Sequence, residues 1–254
     1  MSDESKNKDE VLEQAKAAAE QSESEEVAHA PKKKHKKGII IAVVIIVVLV
    51  VGGIGFDKWH QQPSFCATMC HIEQTYVNNY QQPQNSVGTD KYGNTVSNTN
   101  AMMAVLHRET GTSAIPTMNC LSCHVPNTME LAHDGVNYFT GNYYLPRTER
   151  SVEMLERWDK KDGTQFCANE NCHVYLLGSD GLLDRDKLEA SSAWMDFNPH
   201  SQHHEGIQMS CTECHKGHRA SVYQCTGCHD DITLPDGWVT KAEGDQILED
   251  AYNK

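Results

Sequence analysis

The chain has few of the large apolar residues that build an ordinary globular core. Hydrophobic residues make up 39% of its 254 residues and aromatic residues 7%, and much of the hydrophobic share falls in one continuous run. Outside that run the chain is too polar to bury a large aliphatic core. This shortage indicates that bound apolar groups supply the missing interior.

Basic residues are scarce as well. The chain has 22 Lys and Arg against 35 Asp and Glu, a formal net charge of −13 at pH 7. Such a surface repels a phosphate backbone, so nucleic acid is excluded as a partner. It suits a domain that presents negative charge to a protein partner.

No cysteine lies outside five repeated motifs, each of which is two cysteines followed at once by a histidine. Three motifs have the spacing C-x-x-C-H, the signature of covalent c-type haem attachment. In that chemistry two thiols bond to one haem, and the histidine ligates its iron. The sequence therefore predicts five covalently bound haem c groups, which would supply the missing apolar mass. The motifs are Cys66/Cys70-His71, Cys120/Cys123-His124, Cys167/Cys172-His173, Cys211/Cys214-His215 and Cys225/Cys228-His229.

Two other uses of cysteine fit this pattern less well. Cysteines two residues apart are poorly placed to form a disulfide with each other, and disulfides give no role to the histidine that follows. Zinc sites combine two C-x2-C knuckles or add a spaced histidine pair, whereas here the histidine directly adjoins the second cysteine.

The continuous apolar run predicts a membrane anchor. Gly38 to Phe56 holds nineteen residues without a charge, and as a helix this run spans about 28 Å, close to the roughly 30 Å hydrocarbon core. The basic cluster Lys32–Lys37 precedes it, so we expect a cytoplasmic N-terminus and a haem domain on the outer side. A cleaved signal peptide is the alternative, but 37 residues precede the run and no A-x-A pattern follows it.

The predicted fold class is mainly α with much irregular structure: one N-terminal transmembrane helix plus a haem-packed multihaem cytochrome c domain. No strand pattern is strong enough to predict a sheet. Periodicity predicts helices over 101–108, 151–160 and 182–195, and the polar segment 81–100 is interpreted as a surface insertion. The predicted organisation is a disordered cytoplasmic tail (1–37), the anchor (38–56), a pentahaem domain (57–234) and a C-terminal acidic tail (235–254) that includes a short helix.

Three segments resemble the membrane-anchored multihaem quinol dehydrogenases of the NapC/NirT family, which includes the small subunit of cytochrome c nitrite reductase. They are FCATMCHIEQTYVNNY after the anchor, LHRETGTSAIPTMNCLSCHVP, and HSQHHEGIQMSCTECHKGH. The chain departs from the family's four-haem pattern by its fifth motif, by the extra residue in the first motif, and by the polar insertion.

The resemblance implies a carrier that takes electrons from menaquinol in the membrane and passes them to an extracytoplasmic reductase. That partner would be a nitrite reductase, a molybdenum reductase or a flavin-dependent reductase. Two alternatives stay open from the sequence: a terminal reductase acting at an open haem, and a passive electron conduit without quinol chemistry.

The same comparison suggests axial ligands, since each low-spin haem needs a second one and histidine is usual in such carriers. It favours His107, His218 and one or more of the clustered His200, His203 and His204. At the first haem either Met69 or His71 could occupy the proximal position.

Quinol oxidation releases protons, so the resemblance implies a proton acceptor near the first haem. The family supplies lysine and carboxylate groups from the segment after the second haem. Here that segment has no lysine, and its available groups are Glu130, His133 and Asp134. We expect these three to accept the quinol protons.

Overall fold

The computed structural model describes residues 35–69, 74–111, 115, 118–124, 128–142, 149, 152, 162–202 and 208–253. The chain divides into two compact units, Met1–Ile54 and Gly55–Lys254. The described residues are mainly helical, with many short elements joined by turns. The predicted cytoplasmic tail and the helix predicted over 151–160 fall almost wholly outside these residues.

The first unit is described from His35 and consists of one helix, α1 (His35–His60), which continues into the start of the second unit. Within it, Lys37–His60 is long and apolar enough to cross a membrane. Its β-branched residues would favour a strand in water, but only a helix satisfies the backbone of a lone span in lipid. The helix is consistent with the predicted membrane anchor.

The second unit is built from short helices and two small pairs of strands. Its 3-10 turns are Thr99–Ala101, Val174–Leu176 and Gln224–Gly227. Its strands are β1 (Gly88–Thr89), β2 (Thr95–Val96), β3 (Val222–Tyr223) and β4 (Val239–Thr240). Its helices are α2 (Pro63–Met69), α3 (Gln74–Tyr80), α4 (Met103–Arg108), α5 (Cys120–Cys123), α6 (Thr128–Thr140), α7 (Gly163–Cys167), α8 (Arg185–Ser191), α9 (Cys211–Cys214) and α10 (Lys241–Tyr252).

A small aliphatic cluster joins distant parts of the second unit. Trp238 and Val239, which are partly buried, pack against it. The pairing of β3 with β4 is parallel, with Val222 opposite Val239. The segment after residue 235 thus packs on the same cluster as residues from the middle of the chain. The buried members of the cluster are Val96, Ala101, Met102, Val105 and Ala220.

The polar segment 81–100 lies largely at the surface, as predicted, but it also packs into the second unit. Val96, Thr99 and Asp90 are buried in it, and β1 pairs antiparallel with β2. The Asp90 carboxylate accepts hydrogen bonds from the backbone N–H of Tyr92 and of Asn94, both at 2.8 Å. Hydrogen bonds made within the segment allow this carboxylate to be buried.

Two of the three helices predicted from periodicity, those over 101–108 and 182–195, form, but they are shorter than predicted. The helix predicted over 101–108 is a 3-10 turn followed by α4. In the segment 182–195, helix α8 begins only after Asp184, whose carboxylate accepts from the N–H groups of Asp186 and Lys187. An N-cap of this kind fixes where the first turn begins, whatever the apolar spacing before it.

Candidate haem-binding site

Short helices explain why the C-x-x-C-H spacing brings two thiols together. α5 and α9 are single turns that begin and end on the two cysteines of a motif. Residues three apart lie on one face of a helix, so both thiols face the same way. The histidine follows in a non-helical conformation; His124 has φ −95° and ψ 87°. Its imidazole can therefore leave the helix while staying next to the thiols.

The same backbone hydrogen bond closes each of the four described motifs. The N–H of the histidine donates to the carbonyl oxygen of the first cysteine. In the motif with four intervening residues, the Asn169 side-chain oxygen accepts from the N–H of Asn171 and of Cys172, forming a turn that contains the extra residues. The long motif thus ends in the same histidine-to-cysteine backbone hydrogen bond as the standard motifs. The bonds are His124 to Cys120 at 2.8 Å, His173 to Cys167 at 3.2 Å, His215 to Cys211 at 2.9 Å and His229 to Cys225 at 3.0 Å.

The fifth motif differs from the other two standard motifs in its local structure. Its first cysteine, Cys225, lies in the 3-10 turn Gln224–Gly227, and Cys228 lies just beyond that turn with φ −131° and ψ −20°. The N–H of Cys228 donates to the carbonyl oxygen of Cys225 at 3.1 Å, the same oxygen that accepts from His229. The tighter turn replaces the single α-helical turn of α5 and α9.

Cys228 is exposed to solvent, which differs from the buried position expected of a thiol in a haem-packed interior. The physical reason is its place in the chain: it ends a short surface turn and is followed by the acidic pair Asp230 and Asp231, which are exposed too. Haem attachment through this thiol stays a prediction.

The cysteines of successive motifs are neighbours. Nine of the ten cysteines lie among the described residues. Cys66 and Cys120 are joined by a hydrogen bond, which together with burial raises the pKa of Cys120. Cys167 and Cys211 are joined likewise, and this bond lowers the pKa of Cys211 to about 7.

Two further pairs are close enough to influence each other electrostatically. The pKa of Cys123 is raised to about 11, first by burial and then by Cys172. Burial raises the pKa of Cys214 to about 11, with Cys225 acting in the same direction. Together with the two hydrogen-bonded pairs, these contacts link the first motif to the second, the second to the third, the third to the fourth, and the fourth to the fifth.

Three motif histidines each face a second histidine at nearly the same distance. The ring centroids are 6.3 Å apart for His124 and His218, 6.1 Å for His173 and His107, and 6.3 Å for His215 and His200. Two imidazoles on opposite sides of one metal ion, each with a bond of about 2 Å, have ring centroids about 6 Å apart. The three pairs therefore have the spacing that two axial ligands of one iron require.

Hydrogen bonds fix the tautomer of the second histidine in every pair. Nδ1 of His107 lies 2.8 Å from the carbonyl oxygen of Met103, and Nδ1 of His218 lies 3.0 Å from the amide oxygen of Asn79. Both partners can only accept, so each Nδ1 carries a proton. Nε2 is then left unprotonated, which is the form that ligates a metal.

His200 is held in the same way through a hydroxyl. Its Nδ1 lies 2.8 Å from Oγ of Ser192, and that hydroxyl donates its own proton to Oδ1 of Asn198 at 2.5 Å. The hydroxyl oxygen must therefore accept from His200. Nε2 of this ring is again the free nitrogen.

Burial favours the neutral form of three of the paired imidazoles. It lowers the pKa of His218 to about 3 and that of His215 to about 4, with neighbouring histidines acting in the same direction. The pKa of His124 is lowered by burial as well. A metal requires imidazole in the neutral form, so the protonation state suits ligation.

Several predicted site residues lie outside the described part of the chain. They are Cys70, His71, His203 and His204, and nothing is described of the side chain of Met69. Of the first motif the structure therefore describes Cys66, which is buried in α2. The choice between Met69 and His71 stays a prediction, and so do the roles of His203 and His204.

The remaining predicted residues lie on α6. Glu130 is half-buried and His133 is exposed, with Nδ1 of His133 3.2 Å from the Asn137 amide nitrogen. Asp134 belongs to the same helix, one residue further on. Three apolar residues of the helix are exposed as well, Met129 by 66%, Val136 by 62% and Phe139 by 81%. Met129 and Val136 are four and three residues from His133, so they lie on the same side of the helix as His133.

Sequence reasoning missed the residues that orient the ligands. Asn79 is 139 positions from His218, and no motif connects the two. Ser192 and the carbonyl of Met103 carry no signal that separates them from other helical residues. These contacts exist only after the chain folds, so spacing along the sequence could not reveal them.

The described donor groups fit haem better than a bare metal ion. In the second to fifth motifs two thiols precede the motif histidine in the chain, and three pairs of opposed imidazoles have the separation of axial ligands. Within the described ranges, no three His, Cys, Asp or Glu side chains converge as the ligands of a single ion would. The residues present would therefore hold haem by two thioether bonds and axial nitrogens.

Comparison with known proteins agrees with this chemistry. The chain is 44% identical over 198 residues to the cytochrome c-type protein Cgr1 of Eggerthella lenta, a match that covers 78% of this chain and 84% of the relative. No family model matches the chain. No solved structure matches it either.

Proposed function

The chain belongs to the c-type cytochromes, and from this premise we propose that it is a membrane-anchored pentahaem electron carrier. In this proposal it accepts electrons from menaquinol and passes them to a reductase outside the cytoplasmic membrane. The apolar helix Lys37–His60 is consistent with membrane anchoring. The basic cluster Lys32–Lys37 supports a cytoplasmic N-terminus.

The proximity of successive motifs is the observation that carries the proposal. A cysteine of each motif is hydrogen-bonded to a cysteine of the next motif, or influences it electrostatically. Because each thiol would bond to the edge of a haem, haems on successive motifs would have neighbouring edges. A continuous series of this kind suits a carrier that moves electrons through its length.

The side chains of the protein would hold and tune the haems, while bound haem supplies the one-electron redox chemistry. Met103, Asn79 and Ser192 orient His107, His218 and His200 by fixing the proton on Nδ1. Such positioning residues also tune the basicity of a ligand. Burial around each imidazole limits water and thereby influences the reduction potential.

Helix α6 carries the groups proposed to take part in quinol oxidation. Glu130, His133 and Asp134 belong to this helix and would accept protons from the quinol. Its exposed apolar residues Met129, Val136 and Phe139 are suited to a lipid-soluble substrate or the membrane surface. Cys66 follows Phe56 by only ten residues, so the first haem would lie near the bilayer.

The partner is proposed as a soluble or secreted reductase with a basic docking face. The net charge of −13 favours such a partner through complementary charge. A nitrite reductase, a molybdenum reductase and a flavin-dependent reductase all remain candidates, because the features that support electron delivery do not depend on the final acceptor.

Reduction by quinol tests this proposal. A reduced menaquinol analogue is expected to reduce the haems of the membrane-bound wild type without any partner protein. The triple variant Glu130→Gln/His133→Ala/Asp134→Asn is expected to be reduced at least tenfold more slowly by the quinol, since it has lost its proton acceptors. Dithionite, which needs no proton acceptor, reduces both at the same rate.

The matched control is Glu249→Gln/Asp250→Asn, which removes two carboxylates from α10. This variant is expected to react with the quinol as the wild type does. If the triple variant also reacts at the wild-type rate, these three residues are not the proton acceptors. If no quinol reduces the wild type, the chain is a conduit fed by another protein.

A further inference from the structure

A tyrosine hydroxyl lies beside the ring of the third motif histidine, where the haem-attachment motif itself requires no residue. Oη of Tyr175 is 3.2 Å from Nδ1 of His173, within hydrogen-bonding distance. The two ring centroids are 5.7 Å apart and the ring planes are inclined by 70°, an edge-on arrangement. Because the contact uses Nδ1, the other ring nitrogen of His173, Nε2, is left for the iron that the motif predicts.

The backbone that carries this tyrosine is anchored on both sides. Tyr175 is the middle residue of the 3-10 turn Val174–Leu176. The N–H of Leu176, which is buried, donates to the carbonyl oxygen of His173 at 3.1 Å. The carbonyl oxygen of Leu176 accepts from the N–H of Asp184 at 2.9 Å, which ties the turn to the start of α8. The phenol therefore has a defined position, although Tyr175 is 62% exposed.

The direction of the hydrogen bond follows from which nitrogen ligates the metal. Burial lowers the pKa of His173, with His107 acting in the same direction, and this favours the neutral ring with a single proton. A ligating Nε2 carries no proton, so the proton lies on Nδ1 and the phenol oxygen of Tyr175 accepts the hydrogen bond. The hydroxyl can donate its own proton to water, because Tyr175 lies at the surface.

Both histidines of this pair are then held through Nδ1. His107 donates to the carbonyl oxygen of Met103 at 2.8 Å, and His173 donates to Tyr175. The planes of the two imidazoles are 88° apart. Rotation of an imidazole about its bond to a metal moves Nδ1, so each hydrogen bond restricts the plane of one ring. The near-perpendicular arrangement is therefore supported by a partner on each side.

We propose that Tyr175 is a positioning residue of the third haem, whose hydroxyl orients His173 and makes this axial ligand more basic. The assignment rests on the proposed haem at the third motif. A hydrogen bond donated by Nδ1 increases the electron density on Nε2, which stabilises ferric iron relative to ferrous iron and lowers the reduction potential. A single hydroxyl at the protein surface thus lowers the potential of one haem in the series.

A potentiometric titration of the holoprotein followed by EPR spectroscopy tests the assignment. Near-perpendicular axial rings give a strongly anisotropic ferric signal, and the component of this kind that disappears in His107→Ala identifies the third haem. Tyr175→Phe removes only the hydroxyl and leaves the ring. It is expected to raise the midpoint potential of that component, to reduce its anisotropy, and to leave the other components in place. The haem stays low-spin, because both axial nitrogens remain.

The control is Tyr252→Phe, which removes a hydroxyl from another exposed tyrosine, at the end of α10. It is expected to leave this component unchanged. An equal shift in both variants, or a midpoint in Tyr175→Phe that is unmoved or lowered, overturns the proposal. Intact mass and peptide mapping separate the two levels of the argument. A wild type without haem on Cys167 and Cys172 contradicts the proposed function, whereas a full haem set with an unmoved midpoint contradicts only the role of Tyr175.

Discussion

At the scale of single residues, proton placement leaves Nε2 of three histidines unprotonated, which is the form that can ligate a metal. Met103, Asn79 and the Ser192–Asn198 pair each hold a proton on Nδ1 of a histidine. Three different acceptors thus produce the same tautomer at three places. The angle between paired rings is not shared, however: it is 88° for His107 and His173 but 20° for His218 and His124.

These angles give each pair a distinct EPR signature. Near-perpendicular imidazole planes produce a strongly anisotropic low-spin ferric signal, whereas near-parallel planes produce a rhombic one. His107→Ala is therefore expected to remove a strongly anisotropic signal, and His218→Ala a rhombic one, each with the appearance of one high-spin haem. The loss of an axial nitrogen weakens the ligand field of that iron.

The histidine control is His60→Ala. The ring of His60 packs against Phe65 with centroids 4.8 Å apart, so its removal is expected to leave all low-spin signals in place. If His107→Ala or His218→Ala leaves the spectrum unchanged, that histidine is not an axial ligand.

At the scale of secondary-structure elements, what the sequence could predict was local. The cysteine motifs, the apolar helix and the helical character of 101–108 follow from spacing and periodicity alone. The closure of the long motif by a turn at Asn169 also uses only neighbouring residues. Three features could not be predicted, because they depend on which distant parts of the chain meet in the fold. They are the paired histidines, the buried residues of segment 81–100 and the pairing of β3 with β4.

The packing of α10 illustrates a tertiary contact that overrides local propensity. A Cβ added at Gly244 would lie 2.7 Å from Cγ2 of Val222, a stiff and buried side chain. Gly244→Ala is therefore expected to destabilise the protein by about 1–3 kcal/mol, the usual cost of overpacking. Thermal unfolding of the holoprotein measures the change.

The matched substitution for this test is Gly135→Ala in α6, where nothing lies within 4 Å of the added Cβ. There the helix propensity of alanine acts alone and is expected to stabilise the protein by up to about 1 kcal/mol. If both variants are stabilised, the contact between Gly244 and Val222 does not constrain the packing of α10.

At the scale of the whole molecule, the proposed function gives haem the place of the aliphatic core that the sequence lacks. The described core is one small cluster around Met102 and Val105, whereas the described motif cysteines and paired histidines run through the whole of the second unit. Under the proposed function, the haems would then be both the electron path and most of the interior. The expected consequence is that protein which has not received haem fails to fold beyond α1.

The number of covalent haems is the measurement that tests the central claim most directly. Intact mass spectrometry is applied to the full chain matured in a host that attaches haem c. The account predicts a mass increase of five haems, with haem-bearing peptides recovered from all five motifs, including those with three and four intervening residues. Four or fewer haems on fully matured protein would contradict the continuous pentahaem path.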